Sequence, residues 1–257
     1  MELEPQENIY GHQQRLHWLR DNLKMEDRAV EFGCGTGRLI TLPLRAWGYD
    51  VTGVDLDDRS IERGRELLQE AGLDPEALQA VDLKELPGPF DAVIASEILE
   101  HLDDTELSNS LALIRDRLAS GGKLLVTTPN GYSLFELENF FFYRTGVDRL
   151  YRKARSGGLG RRLRSLKARH TDWTGTDELM TLADSPHKQR FTWRSIHRIL
   201  DRAGFDVVEA RGAILFCGPF TDFAFSGLPR VMGLNKELGR RLPRVASDYY
   251  IAAVKRD

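Results

Sequence analysis

A turn built from three alternate glycines constrains this chain more than any other feature. The Gly-x-Gly-x-Gly run at 33–37 follows directly after Ala29–Phe32, which is short, apolar and β-prone. Glycine at every second position lets the backbone turn sharply and lets a ligand lie against bare main chain. A helical pattern then starts at Thr36, a suitable N-cap, and continues to about Trp47 with an interruption near Pro43. The sequence therefore predicts a strand, a ligand-binding turn and a helix in succession.

A second predicted strand ends in an acidic residue. Tyr49–Val54 has the composition of a buried strand, and Asp55 stands at its carboxyl end, about twenty residues beyond the glycine turn. An acid at this place can accept hydrogen bonds from both hydroxyls of a ribose. Dinucleotide-binding turns usually place the third glycine one residue later than this chain does. That spacing disfavours a nicotinamide oxidoreductase.

Strands and helices alternate along the next part of the chain. Leu78–Val81, Phe90–Ala95 and Lys123–Thr128 are the third, fourth and fifth predicted strands, and Asp103 opens a helix before the fifth. Such alternation predicts a parallel sheet with crossover helices on both faces. Because ligands bind these sheets outside the carboxyl ends of the strands, we expect a single site at that edge.

At these motifs the chain resembles the class I S-adenosylmethionine-dependent methyltransferases, and in particular the ubiquinone-biosynthesis type of O-methyltransferase. The matching segments are 31–37, 53–55 and 90–93. The resemblance covers roughly 28–130 and resumes at about 187–205. It implies S-adenosylmethionine as cofactor, with the donor bound by Glu31, Gly33, Cys34, Gly35, Gly37, Asp55, Leu56, Asp82, Leu83 and Ser96.

Two of those donor-site residues carry an open alternative. In the resembling family, an acid at the place of Asp82 usually meets the adenine amino group, and the next amide meets a ring nitrogen. The alternative is that Asp82 caps a helix or turn. Cys34 is expected to fill space beside the methionine chain of the donor, because no base lies beside it in sequence.

The fold class that follows is α/β, a Rossmann-like doubly wound sheet, mostly parallel with the last strand antiparallel, and with a helical lid insertion. We expect one domain over 1–257 that contains the lid at 131–186. The predicted closing strands are Phe205–Ala210 and Ala246–Val254, and the resemblance implies that they form an antiparallel pair. A leading helix over Glu7–Leu23 either covers the ligand pocket or packs on the sheet edge.

The segment Glu97-Ile98-Leu99-Glu100-His101 is the candidate acceptor site. If it is helical, its two carboxylates and its imidazole fall at i, i+3 and i+4 on one face. Together with His187, these groups could hold Mg²⁺ and so lower the pKa of a bound hydroxyl. The predicted metal ligands are thus Glu97, Glu100, His101 and His187. The alternative is a metal-free site in which Glu100, His101 or His187 acts directly in acid–base catalysis.

The insert contains a dense run of positive charge. Ten basic residues and one acidic residue lie between Arg144 and Arg169, although the whole chain has a net charge of −3. Aromatic residues precede this run from Phe135 to Tyr151. The segment 140–169 could lie on an anionic membrane surface, grip a phosphate-bearing acceptor such as RNA, or simply cover the pocket. We expect a lid, with the membrane contact ahead of nucleic acid.

Length and cysteine content indicate the size of the core and the redox environment that we expect for the protein. At 257 residues the chain can bury a sizeable core. Its two cysteines cannot form a disulfide framework, so a reducing, cytoplasmic setting, with or without peripheral membrane contact, is expected. The start of the sequence is acidic and lacks the pattern of a signal peptide.

The function predicted from the sequence is transfer of a methyl group from S-adenosylmethionine to an oxygen of a small or lipid-linked acceptor. RNA 2′-O-methylation is one alternative. The other is a non-catalytic scaffold that binds the donor or a partner. The sequence indicates neither the oligomeric state nor the identity of the acceptor.

Overall fold

Seven strands form one sheet in the computed structural model, which describes residues 3–5, 10–144, 187–218, 221 and 228–256. The strand order is β3-β2-β1-β4-β5-β7-β6. The strands are β1 Arg28–Phe32, β2 Asp50–Val54, β3 Leu78–Gln79, β4 Phe90–Ser96, β5 Leu118–Pro129, β6 Phe205–Gly212 and β7 Asp248–Lys255.

The pairing of the strands confirms the predicted Rossmann-like sheet. Strands β1 to β5 pair in parallel, and β7 pairs antiparallel with both β5 and β6. The third strand is only two residues long. The fifth begins earlier than predicted, because 118–122 joins the sheet across a shift in register against β4. The reversal of strand order between β1 and β4 places a ligand crevice at the carboxyl ends of these two strands.

Helices cover both faces of the sheet. They are α1 His12–Asn22, α2 Thr41–Ala46, α3 Asp58–Glu70, α4 Asp104–Arg117, α5 Leu134–Arg144, α6 Trp193–Arg202 and α7 Pro229–Arg241. Alternate side chains of each central strand point to opposite faces, so Val93 packs in the core beneath α4 and α6, whereas Ala92 and Ile94 pack beneath α1 and α2. The almost wholly apolar β4 is thus covered on both sides.

Two predicted helix starts differ from the structure. The helix after the glycine turn begins at Thr41 rather than at Thr36, because the backbone N–H and the hydroxyl of Thr41 donate to the buried carboxylate of Glu31. Pro43 lies within its first turn, where the missing N–H costs nothing. The leading helix is described only from His12, which follows Gly11 at φ 72°.

The predicted insert is described only in part. Residues 134–144 form α5, whereas 145–186, with nearly all of the basic run, lie outside the described residues. Among the helices described, none is long and apolar enough to cross a membrane.

Candidate functional site

A cavity of about 360 Å³ opens at the carboxyl edge of the sheet. Its wall combines the glycine turn, the ends of β4 and β5, the first turns of α1, the start of β7 and His187. Nine predicted site residues line it: Glu31, Gly33, Cys34, Gly35, Ser96, Glu97, Glu100, His101 and His187. Among the described residues, the predicted donor ligands Gly37, Asp55, Leu56, Asp82 and Leu83 lie outside this wall.

The glycine turn depends on backbone conformations that other residues rarely adopt. Gly33, Gly35 and Gly37 have φ values of 70°, 54° and 63°. The N–H groups of Gly33 and Cys34 both donate to the carbonyl of Val54, at 2.9 and 3.0 Å. A Cβ on Gly33 would lie 2.6 Å from the Ile98 side chain. The turn is therefore a tight cradle of main chain against which a ligand can lie.

Asp55 braces the turn that it follows. Its Oδ2 accepts a hydrogen bond from the N–H of Gly35 at 2.8 Å, and its Oδ1 accepts one from the N–H of Asp57 at 2.9 Å. A carboxylate has about four acceptor sites, so two bonds leave capacity for ribose hydroxyls. The ribose contact stays a prediction, whereas the support of the glycine turn by Asp55 is a finding.

Glu31 is a buried acid in the wall of the cavity. Its carboxylate is 5% exposed and accepts two hydrogen bonds from Thr41. Burial raises the pKa of this carboxyl to about 7, although the bonds from Thr41 favour the charged form. Glu31 thereby connects β1 to the start of α2 and holds both sides of the glycine turn in place.

Asp82 caps a short 3₁₀ helix, Leu83–Glu85. The side chain of Asp82 accepts from the N–H of Lys84, and the side chain of Glu85 accepts from the N–H of Asp82. The bond from Lys84 lowers the pKa of Asp82. The alternative of a helix cap is thus observed, and a contact with adenine stays a prediction.

The segment 97–101 does not form the single helix on which the four-ligand metal site was based. Glu97 has a φ of 54°, and only Leu99–His101 is helical, as a 3₁₀ turn. The hydroxyl of Thr127 donates to Glu97 at 2.9 Å, and that of Thr128 donates to Glu100 at 3.2 Å. Among the described residues, the candidate ligand cluster therefore contains Glu100 but not Glu97.

Glu97 faces α1 in a cluster that the sequence did not reveal. Its Oε1 lies 3.3 Å from a guanidinium nitrogen of Arg15, a residue that is only 9% exposed. Asp248 lies near both, and its burial, with the Glu97 carboxylate close by, raises its pKa to about 7. Arg15 and Asp248 come from α1 and β7. A lone arginine in an amphipathic helix and an acid at a strand start carry no recognisable motif.

Glu100, His101 and His187 form a second, compact cluster in the wall of the same cavity. One ligand atom from each lies within 4.8 Å of the others. The two imidazole rings meet edge to face with centroids 5.0 Å apart. Glu100 is 2% exposed, and burial, followed by the charge of Glu97, raises its pKa to about 9. One carboxylate and two imidazoles are donors that suit a divalent cation, and imidazole favours a transition metal over Mg²⁺.

His187 reaches the cluster because its segment is fastened beside α4 and β5. The N–H of Gln189 donates to the carbonyl of Glu100 at 2.9 Å, and the N–H of Gly131 donates to that of Phe191 at 3.0 Å. Lys188 adds an ion pair with Glu106 at 3.0 Å. These bonds hold His187 opposite His101 although 86 positions separate them in sequence.

Asn130 lines the cavity and also forms the turn after β5. Its amide nitrogen donates to the carbonyls of Ala246 and Arg244, at 2.8 and 3.1 Å, and its side-chain oxygen accepts from the N–H of Tyr132. Asn130 therefore both lines the cavity and fixes the turn after β5. Burial raises the pKa of the Cys34 thiol well above its usual value, as expected for a residue that fills space.

Comparison with known proteins supports the identity that the site suggests. A family model described as a methyltransferase domain matches residues 8–210. The ubiquinone biosynthesis O-methyltransferase of Caulobacter sp. is 34% identical over 107 residues, 40% of this chain and 41% of the relative. The ribosomal protein L11 methyltransferase of Thermotoga neapolitana is 32% identical over 88 residues, 34% of this chain and 33% of the relative.

The whole fold is shared with solved methyltransferase structures. A SAM-dependent methyltransferase from Archaeoglobus fulgidus superposes with a TM-score of 0.55 at 22% identity, covering 94% of this chain and 92% of the other. The curated relatives match this chain over less than half of their own length. The family model nevertheless spans the glycine turn, the acid after β2 and the helix that follows His187. The chain therefore belongs to the methyltransferase-domain family and is a class I S-adenosylmethionine-dependent methyltransferase.

Proposed function

We propose that this methyltransferase acts on an oxygen of a small or lipid-linked acceptor. The observation that carries the proposal is the cluster of Glu100, His101 and His187 in the wall of the cavity. An alcohol or phenol is a poor nucleophile until its proton is removed or its charge is stabilised. This cluster contains the groups that can do either.

The donor would lie along the glycine turn. Its methionine part would contact the bare backbone of 33–37. Arg15, which lines the cavity, would pair with the carboxylate of the donor. Its ribose would be held by Asp55 and its adenine by the segment at Asp82 and Leu83. This placement directs the sulfonium methyl group toward the ends of β4 and β5, where the acceptor residues stand.

Glu100, His101 and His187 would hold a divalent cation. When bound, the cation would supply a positive charge that lowers the pKa of a coordinated hydroxyl. The protein itself orients the acceptor beside the donor and excludes water, which accounts for much of the rate of a displacement reaction. In a cation-free enzyme, His101 or His187 would instead accept the hydroxyl proton.

One relative supports the choice of oxygen. The Caulobacter protein is named as an O-methyltransferase of ubiquinone biosynthesis, whereas the Thermotoga protein is named for a ribosomal protein. Since both matches are confined to part of the chain, the acceptor half has to be tested directly. Free cysteines at 34 and 217 support the reducing, cytoplasmic compartment that accompanies this proposal.

The test is methyl transfer to a panel of phenols, catechols and lipid-linked alcohols, with Mg²⁺, Mn²⁺ or Zn²⁺ added or chelated. Glu100→Gln and His187→Ala should abolish turnover and leave the affinity for S-adenosylhomocysteine unchanged. His197→Gln, a change on α6 outside the cavity wall, is the matched control. Full activity in both site variants would sink the assignment of this cluster.

The same assay, with an oligonucleotide added to the panel, distinguishes two alternative functions. Salt-dependent methylation of an oligonucleotide would favour RNA 2′-O-methylation, which the basic run 144–169 motivates. Donor binding with no product from any acceptor would favour a non-catalytic scaffold.

A further inference from the structure

Helix α7 (Pro229–Arg241) and the residues that flank it leave four apolar side chains exposed. Leu228, Leu234, Leu242 and Val245 are 49%, 60%, 47% and 37% exposed. The residues of this helix that are buried are instead Asn235 and Gly239. Met232 of the same helix packs against the core, whereas Leu234 points away from it.

The contacts of Asn235 and Gly239 show how α7 is attached to the rest of the protein. The side chain of Asn235 accepts from the N–H of Phe216 at 2.9 Å and donates to the carbonyl of Phe216 at 2.7 Å. A Cβ on Gly239 would lie 2.6 Å from the carbonyl oxygen of Ala213. The helix is thus attached to the protein by backbone contact at Gly239, by the amide bonds of Asn235 and by the packing of Met232, and Leu234 is left exposed.

Basic residues surround the exposed leucines. The stretch 228–245 contains Arg230, Lys236, Arg240, Arg241 and Arg244 and only one acid, Glu237. Arg240 and Arg241 both pair with that acid, at 2.9 and 2.6 Å. The stretch therefore keeps a net positive charge beside its apolar side chains. Like charges would oppose the pairing of this surface with a second copy of itself.

We infer that the surface formed by 228–245 docks on an anionic lipid membrane. Exposed leucines with arginines nearby in the sequence suit the boundary between headgroups and acyl chains, where apolar side chains enter the lipid and cations meet phosphates. The residues of this surface are different from those of the basic run 144–169. The inference does not require the acceptor to be lipid-linked.

The docking surface is continuous with the rim of the cavity. The N–H of Leu134 donates to the carbonyl of Val245, and Asn130 binds the carbonyl of Arg244. Asn130 and Phe135 both line the cavity. A membrane held against 228–245 would therefore lie beside the entrance to the site.

The test is flotation of the full chain with vesicles of phosphatidylcholine alone or of equal parts phosphatidylcholine and phosphatidylglycerol. Wild type should float only with the anionic vesicles and should be released by high salt. The double variant Leu234→Asp/Leu242→Asp should reduce the bound fraction at least tenfold, because it removes two apolar anchors. Met25→Asp changes an equally exposed apolar residue at the opposite end of the strands and should float as wild type does.

Thermal unfolding and donor binding of the double variant should match wild type, since both leucines are already exposed. Wild-type protein that stays unbound to anionic vesicles would overturn the inference. Undiminished flotation of the double variant would also overturn it, by locating the contact elsewhere, for example at 144–169. A dimer in analytical ultracentrifugation that the double variant dissociates would overturn it in favour of self-association.

Discussion

The donor half and the acceptor half of this site are built in opposite ways. The core of the donor half lies within one stretch, from Glu31 to Asp55, and its main elements are backbone groups of a glycine turn. The rest of the site, which includes the acceptor cluster, is assembled from α1, the ends of β4 and β5, the segment at His187 and the start of β7. Its main elements are side chains. A binding site made of backbone groups can be recognised in the sequence from the spacing of its glycines. A site made of side chains depends on tertiary contacts that the sequence does not display.

The largest expected effect concerns the backbone of the donor half. Gly33→Ala should lower the free energy of unfolding by about 3 kcal/mol, because it combines a left-handed φ with a clash against Ile98. Donor affinity should fall by at least a hundredfold. Urea unfolding and calorimetric titration with S-adenosylhomocysteine measure the two effects.

Gly72 offers a matched control for this change. Its φ is 71°, against 70° for Gly33, but nothing lies within 4 Å of the position of its Cβ. Gly72→Ala should therefore cost about 1 kcal/mol of stability from backbone strain alone and leave donor binding intact. Equal losses in the two variants would show that close packing of the turn is unimportant.

The second expected effect is a pH dependence caused by the buried acid of the donor half. The pKa of Glu31 is about 7 in the folded protein, whereas an ordinary glutamate, as in the unfolded chain, has a pKa of 4.5. As pH rises, Glu31 therefore loses its proton at a lower pH in the unfolded chain than in the folded protein. This difference destabilises the fold progressively between about pH 4.5 and 7. The full effect is about 3 kcal/mol above pH 7.

Glu31→Gln removes this titration and serves as the comparison. The free energy of unfolding should fall less steeply from pH 5 to pH 8 in the variant than in wild type. Parallel pH profiles would mean that Glu31 is ionised throughout, in which case its bonds from Thr41 outweigh the cost of burial.

Asp55 tests whether the donor half uses side chains as well as backbone. Asp55→Ala should weaken binding of S-adenosylhomocysteine by one or two orders of magnitude, about 1.4 to 3 kcal/mol. Asp55→Asn keeps one acceptor oxygen and should show a smaller loss. Unchanged affinity in Asp55→Ala, measured by calorimetry, would place the ribose elsewhere.

The sequence predicted the fold and the glycine turn well for physical reasons. Buried parallel strands are continuous apolar runs, and a turn at positive φ requires glycine, so both leave local patterns. The prediction of a helix was wrong for 36–40, because the hydrogen bonds of Thr41 with the carboxylate of Glu31 place the start of the helix at Thr41. It was also wrong to treat 97–101 as one helix. The sequence did not reveal Arg15 and Asp248, because α1 and β7 approach Glu97 only in the folded chain.

The smallest expected effect tests the boundary between the two halves. Thr127 and Thr128 are adjacent on β5, yet Thr127 binds Glu97 and Ser96 whereas Thr128 binds Glu100. Thr127→Val should weaken donor binding about fivefold and spare cation affinity. Thr128→Val should weaken cation affinity about fivefold and spare the donor. Thr128→Val removes one hydrogen bond and Thr127→Val removes two, each on the order of 1 kcal/mol, and both changes keep the shape of the side chain.

Calorimetric titrations of both variants with S-adenosylhomocysteine and with Mn²⁺ measure these effects separately. A loss of both ligands in either variant would mean that the two carboxylates act as one coupled unit. Separate losses would show that a single strand, through the alternation of its side chains, divides the donor site from the acceptor site. In that case the acceptor half could be altered by changes around Glu100 without loss of donor binding.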